Sequence, residues 1–335
     1  MKNIKWLFLL FVTFLLIGCS NQWNQNSQPT VISPVTIPTQ QTTPFLDFDN
    51  PRLHEIAGNK PLVIDEIVRT QNQDPEYVAV IVKTSDPMLS REMLLFRITD
   101  NVSTLIYDLG PFVYMTFDVE REDHPDWLYN GFFLKGFRGF SYFHQNYFEL
   151  PVITSMGGNC YDCGTLKLIG INAYGEAIDI TPATGFNPKG FVSINNQAIF
   201  RVVATRYYEG DYGACVHTAS PFAFRLFAWK DTAYIDVSEN EKEFYNQKIT
   251  ELVTGLQADY NKPLVSCNVM PTLANIFFDY ESSGRVDYGW EQIKSLGDLS
   301  HWDVKNTAPE EIQSYHQVFD ELEKRKNNDN ATPTP

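Results

Sequence analysis

Two short stretches hold most of the residue types that do chemistry. Asp118–Asp126 places five carboxylates within nine positions, with Asp118, Glu120, Glu122 and Asp126 at its first, third, fifth and ninth places. Oxygen ligands at alternate positions of a tight loop, closed by a further carboxylate, are what a calcium ion needs to fill six to eight sites. Downstream, Gly157-Gly158-Asn159-Cys160-Tyr161-Asp162-Cys163-Gly164 sets two thiols in a glycine-rich turn between the apolar runs Leu150–Thr154 and Leu166–Ile171. Such a pair forms a disulfide, exchanges electrons with other thiols, or joins further cysteines on zinc. The β-branched, alternating residues after Cys163 predict a strand. No helix N-terminus is then available to stabilise a Cys160 thiolate, and the structural disulfide is the expected state. Zinc through Cys160, Cys163, Cys215 and Cys267 would need four ligands separated by two, 51 and 51 residues, unlike the usual two close pairs.

Between these stretches, ten of the 22 residues of Trp127–Phe148 are aromatic, with Gly131, Gly136 and Gly139 among them. Rings on glycine-flexed loops stack on sugars or anchor a partner protein, and Trp127 and Tyr129 are the candidate ligand-binding residues. The alternative is that these rings fill the core of an insertion. No GxSxG, GxGxxG or phosphate-loop pattern occurs, and the six histidines make no HExxH spacing. The pattern points to a non-catalytic binding or scaffolding protein, with thiol–disulfide exchange at Cys160 and Cys163 as the enzymatic alternative.

The N-terminus says where these groups operate. Lys2 and Lys5 precede Trp6–Ile17, twelve residues with only Thr13 polar. That is too short to span a bilayer and right for the apolar core of an export signal. Leu16-Ile17-Gly18-Cys19 follows at once and resembles the lipobox of bacterial lipoproteins. The resemblance implies cleavage after residue 18, lipidation of Cys19, and a cell-membrane or outer-membrane location with the folded part outside the cytoplasm. Several acyl chains on one cysteine anchor firmly where a single chain does not. The four remaining cysteines then meet an oxidising compartment, and an even number favours disulfides. Three pairings exist, of which Cys160–Cys163 with Cys215–Cys267 is the expected one.

A net charge of −15, from 26 Lys and Arg against 41 Asp and Glu, excludes nucleic acid as a partner and disfavours anionic lipid headgroups. Residues 19–44 are almost wholly Asn, Gln, Ser, Thr and Pro after the cysteine, a flexible tether with an r.m.s. reach of roughly 25–30 Å. Short β-patterned runs separated by Asp, Asn, Pro and Gly fill residues 45–237 and predict a meandering antiparallel domain. From Ser238 the period becomes helical. Capping boxes are predicted at Ser238–Glu241 and Thr307–Glu310, with further helices at Met270–Glu281 and Asp287–Ser295. Residues 327–335 form a polar tail. The fold class expected is α+β, an antiparallel β-rich domain followed by a C-terminal helical unit.

Two resemblances add detail. The acidic loop is similar to the Asp-x-Asn-x-Asp-Gly-x-Pro-Asp loop of FG-GAP and VCBS-type repeats, Pro125 included, although Asp123 stands in place of its glycine and Arg121 adds a cation. The two-cysteine turn is similar to one found in exported proteins carrying such repeats. These likenesses imply a small or incomplete propeller and a calcium ion on Asp118, Glu120, Glu122 and Asp126; the residues themselves imply no other cofactor. Ile276, Tyr280, Gly284, Gly289 and Ile293 resemble one tetratricopeptide helical hairpin, in which Gly289 would let the second helix approach the first beneath Tyr280. A single hairpin is too few for a solenoid and is expected to cap the β domain rather than to serve as a docking module.

Overall fold

Apolar runs separated by tight turns pair with their nearest neighbours, and here each strand folds back on the one before it. A computed structural model of the protein describes residues 50–70, 73–118, 139–144, 147–157, 164–194, 200–208, 210, 212 and 220–329. Contacts divide the chain between Pro44 and Phe45, and all described residues belong to the second unit, Phe45–Pro335.

Sheet 1 has the order β1 (Val63–Arg69), β2 (Glu76–Lys83), β3 (Arg91–Thr99) and β4 (Val102–Phe112). Sheet 3 repeats that meander with β10 (Asn187–Ser193), β11 (Phe200–Tyr207), β12 (Phe222–Lys230) and β13 (Ala233–Asp236). In sheet 2 the order is β5 (Tyr114–Thr116), β7 (Tyr147–Ser155), β8 (Gly164–Ile171) and β9 (Ala177–Asp179), while β6 (Ser141–His144) also pairs with β7. Thr116 lies opposite Ile153, and Ser141 lies opposite Glu149. β5 and β6 are therefore two halves of one strand position. The acidic loop and most of the aromatic stretch fall between β5 and β6 in the sequence, for the most part outside the described residues.

Period-two alternation sends each sheet's side chains into two different cores. Tyr77, Ala79 and Ile81 of β2 pack with Leu150, Val152, Ile169 and Ile171 of sheet 2. Their neighbours Val78, Val80 and Val82 pack on the opposite face with Leu53 and Ile56 of α1 (Pro51–Ala57). Leu166 and Leu168 of β8 meet Phe191, Val202, Ala204 and Phe227 of sheet 3. Val203, Phe224 and Leu226, on the other face of sheet 3, share the largest core with four helices. These are α2 (Lys242–Gln257), α3 (Ser266–Ser282), α4 (Val286–Leu296) and α5 (Pro309–Asp329). The layers run in one line: α1, sheet 1, sheet 2, sheet 3, helices. The fold is α+β, and the sheets form an open row of blade-like meanders rather than a closed ring.

The change from strand to helix falls where the sequence predicts it, but neither capping box forms. Ser238 is buried in a 3-10 turn, Ser238–Asn240, and its hydroxyl accepts the Leu226 N–H at 2.9 Å, so α2 starts at Lys242. The Thr307 hydroxyl accepts the Leu264 N–H at 2.9 Å and donates to the Asp303 carbonyl at 2.8 Å. In both places tertiary hydrogen bonding takes the oxygen that a local cap would use. α3 begins one turn before the predicted Met270, with Pro271 inside it, because Glu311 of α5 accepts the Ser266 N–H at 2.6 Å. Among the described residues, four elements have no counterpart in the sequence pattern: α1, the short β5 and β6, and β10, whose Pro188 sits beside a bulge at the edge of sheet 3 where a missing N–H is tolerated.

Candidate functional site

Asp118, the first residue of the acidic loop, ends a short bridge after β5, and its N–H donates to the Thr116 hydroxyl at 3.0 Å. The Phe117 N–H beside it donates to Glu66 of β1 at 3.1 Å, which ties this end of β5 to sheet 1. Glu120, Glu122, Asp126, Trp127 and Tyr129 lie outside the described residues, as do Cys19, Cys160, Cys163 and Cys215. Cys267, in the first turn of α3, is disulfide-bonded. Of the aromatic stretch, Phe140 and Phe148 pack against the core between sheets 1 and 2, Phe148 with its ring 5.8 Å from that of Tyr77. Among the described residues, no group of three or more His, Cys, Asp or Glu is placed to hold a metal ion. No helix among them is long and apolar enough to cross a membrane.

A cavity lies elsewhere, between sheets 2 and 3. A cleft of about 820 Å³ is walled on one side by β9 and the turn after it, and on the other by the β12–β13 hairpin and the 3-10 turn. The turn is held by two local bonds, Thr181 N–H to Asp179 at 2.8 Å and Phe186 N–H to the Thr184 hydroxyl at 3.1 Å, and by one from β8, Leu168 N–H to the Thr181 hydroxyl at 2.9 Å. These bonds present Asp179 and Thr184 to solvent and fold Phe186 back towards sheet 3.

Arg225 supplies the cleft's cation. It alternates with Phe224 and Leu226, so it shares the sheet-2 side of β12 with Phe227. Its guanidinium lies 5.7 Å from the Phe186 ring centroid and 3.4 Å from an Asp236 oxygen. Tyr234 is buried at the cleft wall, and its hydroxyl donates to the fully buried Glu149 at 2.9 Å. Burial, and then the charge of Glu149, hold that phenol well above its ordinary value, so it stays a proton donor. Asp179, Asp236 and Glu239 leave the cleft with an acidic balance around one fixed guanidinium.

None of these cleft residues stands out in the sequence, because the site joins a turn from one meander to a hairpin 50 residues later. One signal was there. Alternation in Phe222–Lys230 puts an arginine on a face otherwise committed to the core, which marks Arg225 as a buried-side cation in need of partners. A second charged cluster sits at the far end of the molecule, where Arg52 of α1 pairs with Glu55 at 2.9 Å, with Asp108 at 2.8 Å and with the buried Glu92. It clamps α1 to sheet 1. No protein-family profile, characterised protein or solved structure matches this chain.

Proposed function

We propose that the protein is an envelope lipoprotein, held by acyl chains on Cys19, whose folded body binds a hydroxyl-rich ligand of the saccharide class in the cleft between sheets 2 and 3. The cleft is the observation that carries the binding reading. The half-buried Phe186 ring with the Arg225 guanidinium beside it, ringed by Asp179, Asp236 and the hydroxyls of Thr184 and Thr232, offers an apolar edge together with donors and acceptors for sugar hydroxyls. The disulfide at Cys267 supports export, since such bonds persist in oxidising compartments. A scaffold of three stacked sheets supplies rigid walls, and a tether from residue 19 would hold the cleft away from the membrane.

Two measurements test the reading. Fatty-acid labelling of cells expressing the full chain should mark the wild type in the membrane fraction and not Cys19→Ser; an unlabelled, soluble wild type would end the lipoprotein assignment. Purified protein applied to a glycan array should be retained, and Arg225→Ala and Phe186→Ala should each lose roughly tenfold or more in affinity, as expected for removing one apolar or charged contact. Retention unchanged in both variants moves the ligand away from this cleft.

A further inference from the structure

Lys248 of α2 and Asp279 of α3 meet inside the core shared by sheet 3 and the helices. Nζ lies 2.9 Å from Oδ1, and the two side chains are 5% and 1% exposed. The Phe224 ring covers the amine, its centroid 3.6 Å from Nζ, and Phe222 lies 5.7 Å away. Asp279 Oδ2 is buried without a hydrogen-bond partner, and so are Ser282 Oγ and Arg285 Nη2 a few residues further along the chain. The remaining Arg285 nitrogens are engaged, Nε with Ser283 Oγ at 2.9 Å and Nη1 with Asn246 Oδ1 at 2.7 Å.

An ion pair so deep loses the hydration of both charges, and one carboxylate oxygen here recovers nothing in return. Burial acts on both partners in the same sense, pushing the lysine down and the aspartic acid up from their ordinary values. The pair thereby moves towards a neutral amine beside a neutral carboxyl group. Those are the two reactants of an amide condensation, held in contact where water is excluded. Groups fixed at reacting distance behave as if at effective molarities of up to about 10⁵–10⁸ M.

We propose that Lys248 and Asp279 condense to an intramolecular amide that cross-links α2 to α3. A proton first passes from Nζ to the carboxylate. The Nζ lone pair then adds to Cγ, and the oxyanion formed lies within reach of the positive charge of Arg285, which already acts on Asp279. The Nζ–Cγ bond is completed as a Cγ–O bond breaks. The oxygen departs with two protons as water, no electrons change hands, and no co-reactant is consumed. The product removes both buried charges together and disposes of the unpartnered oxygen. It is independent of what the cleft binds.

Peptide mapping of the purified full-length protein tests this. After denaturation and reduction of disulfides, a glutamate-specific protease cuts at Glu251, between the two residues, and yields segments 244–251 and 252–281. In the wild type these should remain joined as one species lighter than their sum by one water, about 18 Da. Lys248→Arg, which keeps the charge, and Lys248→Met, which keeps the volume, should release two linear peptides of full mass. Two linear peptides from the wild type overturn the proposal. So does loss of water confined to 252–281, which would mean a cyclic imide at Asp279. The wild-type digest decides the matter even where both variants fold poorly.

Discussion

Glu92 shows how one buried side chain sets a pH response. Burial first, and then the neighbouring Asp108, push its carboxyl up to about 7 against the opposing pull of Arg52. The folded chain therefore holds this proton more tightly than the unfolded chain, whose carboxyl has its ordinary value of 4.5. Its contribution to stability is fully present below pH 4.5 and is lost as pH rises to about 7, a change on the order of 2 kcal/mol. Glu92→Gln keeps an acceptor for Arg52 without the titration. Urea unfolding should show wild type losing stability relative to Glu92→Gln between pH 5 and pH 8, and parallel profiles would refute the assignment. Tyr234→Phe should cost about 1–3 kcal/mol in the same assay, because it withdraws a hydrogen bond from the fully buried Glu149. Such residues are hard to read from sequence, since a lone charge in a mixed helix or strand looks like a solvated face. Lys248 could have been found: it falls four residues after Phe244 and four before Leu252, on the apolar stripe of α2, where a charge demands a partner.

At the scale of elements, the glycines separate close approach from mere permissiveness. A Cβ on Gly289 of α4 would come 2.4 Å from Tyr280 Cβ on α3, so the two helices touch backbone to side chain. Gly289→Ala should force them apart and cost about 1–3 kcal/mol. Gly255, exposed in α2, meets nothing within 4 Å, and Gly255→Ala should instead stabilise by roughly 0.5–1 kcal/mol through helix propensity. Thermal melts of the two variants should move in opposite directions; a common direction would show that the packing argument misjudges one helix. The approach at Gly289 was legible because a glycine set against an aromatic at hairpin spacing has a direct steric meaning. The strands were legible through their period-two runs, as in Tyr77–Val82. What sequence could not resolve were the starts of α2 and α3, where Ser238 and Glu311 hydrogen-bond to elements distant in the chain. β10 was hidden because Pro188 and Gly190 break its pattern while its edge position makes both tolerable.

Across the whole molecule, the layers stand in a row and each depends on its neighbour for cover. A closed ring of blades would bury every inner face by symmetry, whereas an open row leaves two terminal faces that other elements must close. α1 closes the first with Leu53 and Ile56 against Val78, Val80, Val82, Leu94 and Phe96. The helical unit closes the last, where Val203, Phe224 and Leu226 join Tyr245, Met270, Leu273, Phe277 and Phe278 in one core. Hydrogen bonds cross that junction as well: Phe222 N–H to Asn275 at 2.8 Å and the Tyr245 hydroxyl to the Phe224 carbonyl at 3.2 Å. The helices are therefore a structural wall of the β stack rather than a detachable module. Ending the chain after Ser238 should uncover a continuous apolar face on sheet 3, larger than soluble monomers normally present, and drive aggregation. Size-exclusion chromatography of the truncated chain should find it insoluble or in large assemblies. If it elutes instead as a folded monomer with native strand content, sheet 3 does not need the helices, and the layered account of the fold fails at its last layer.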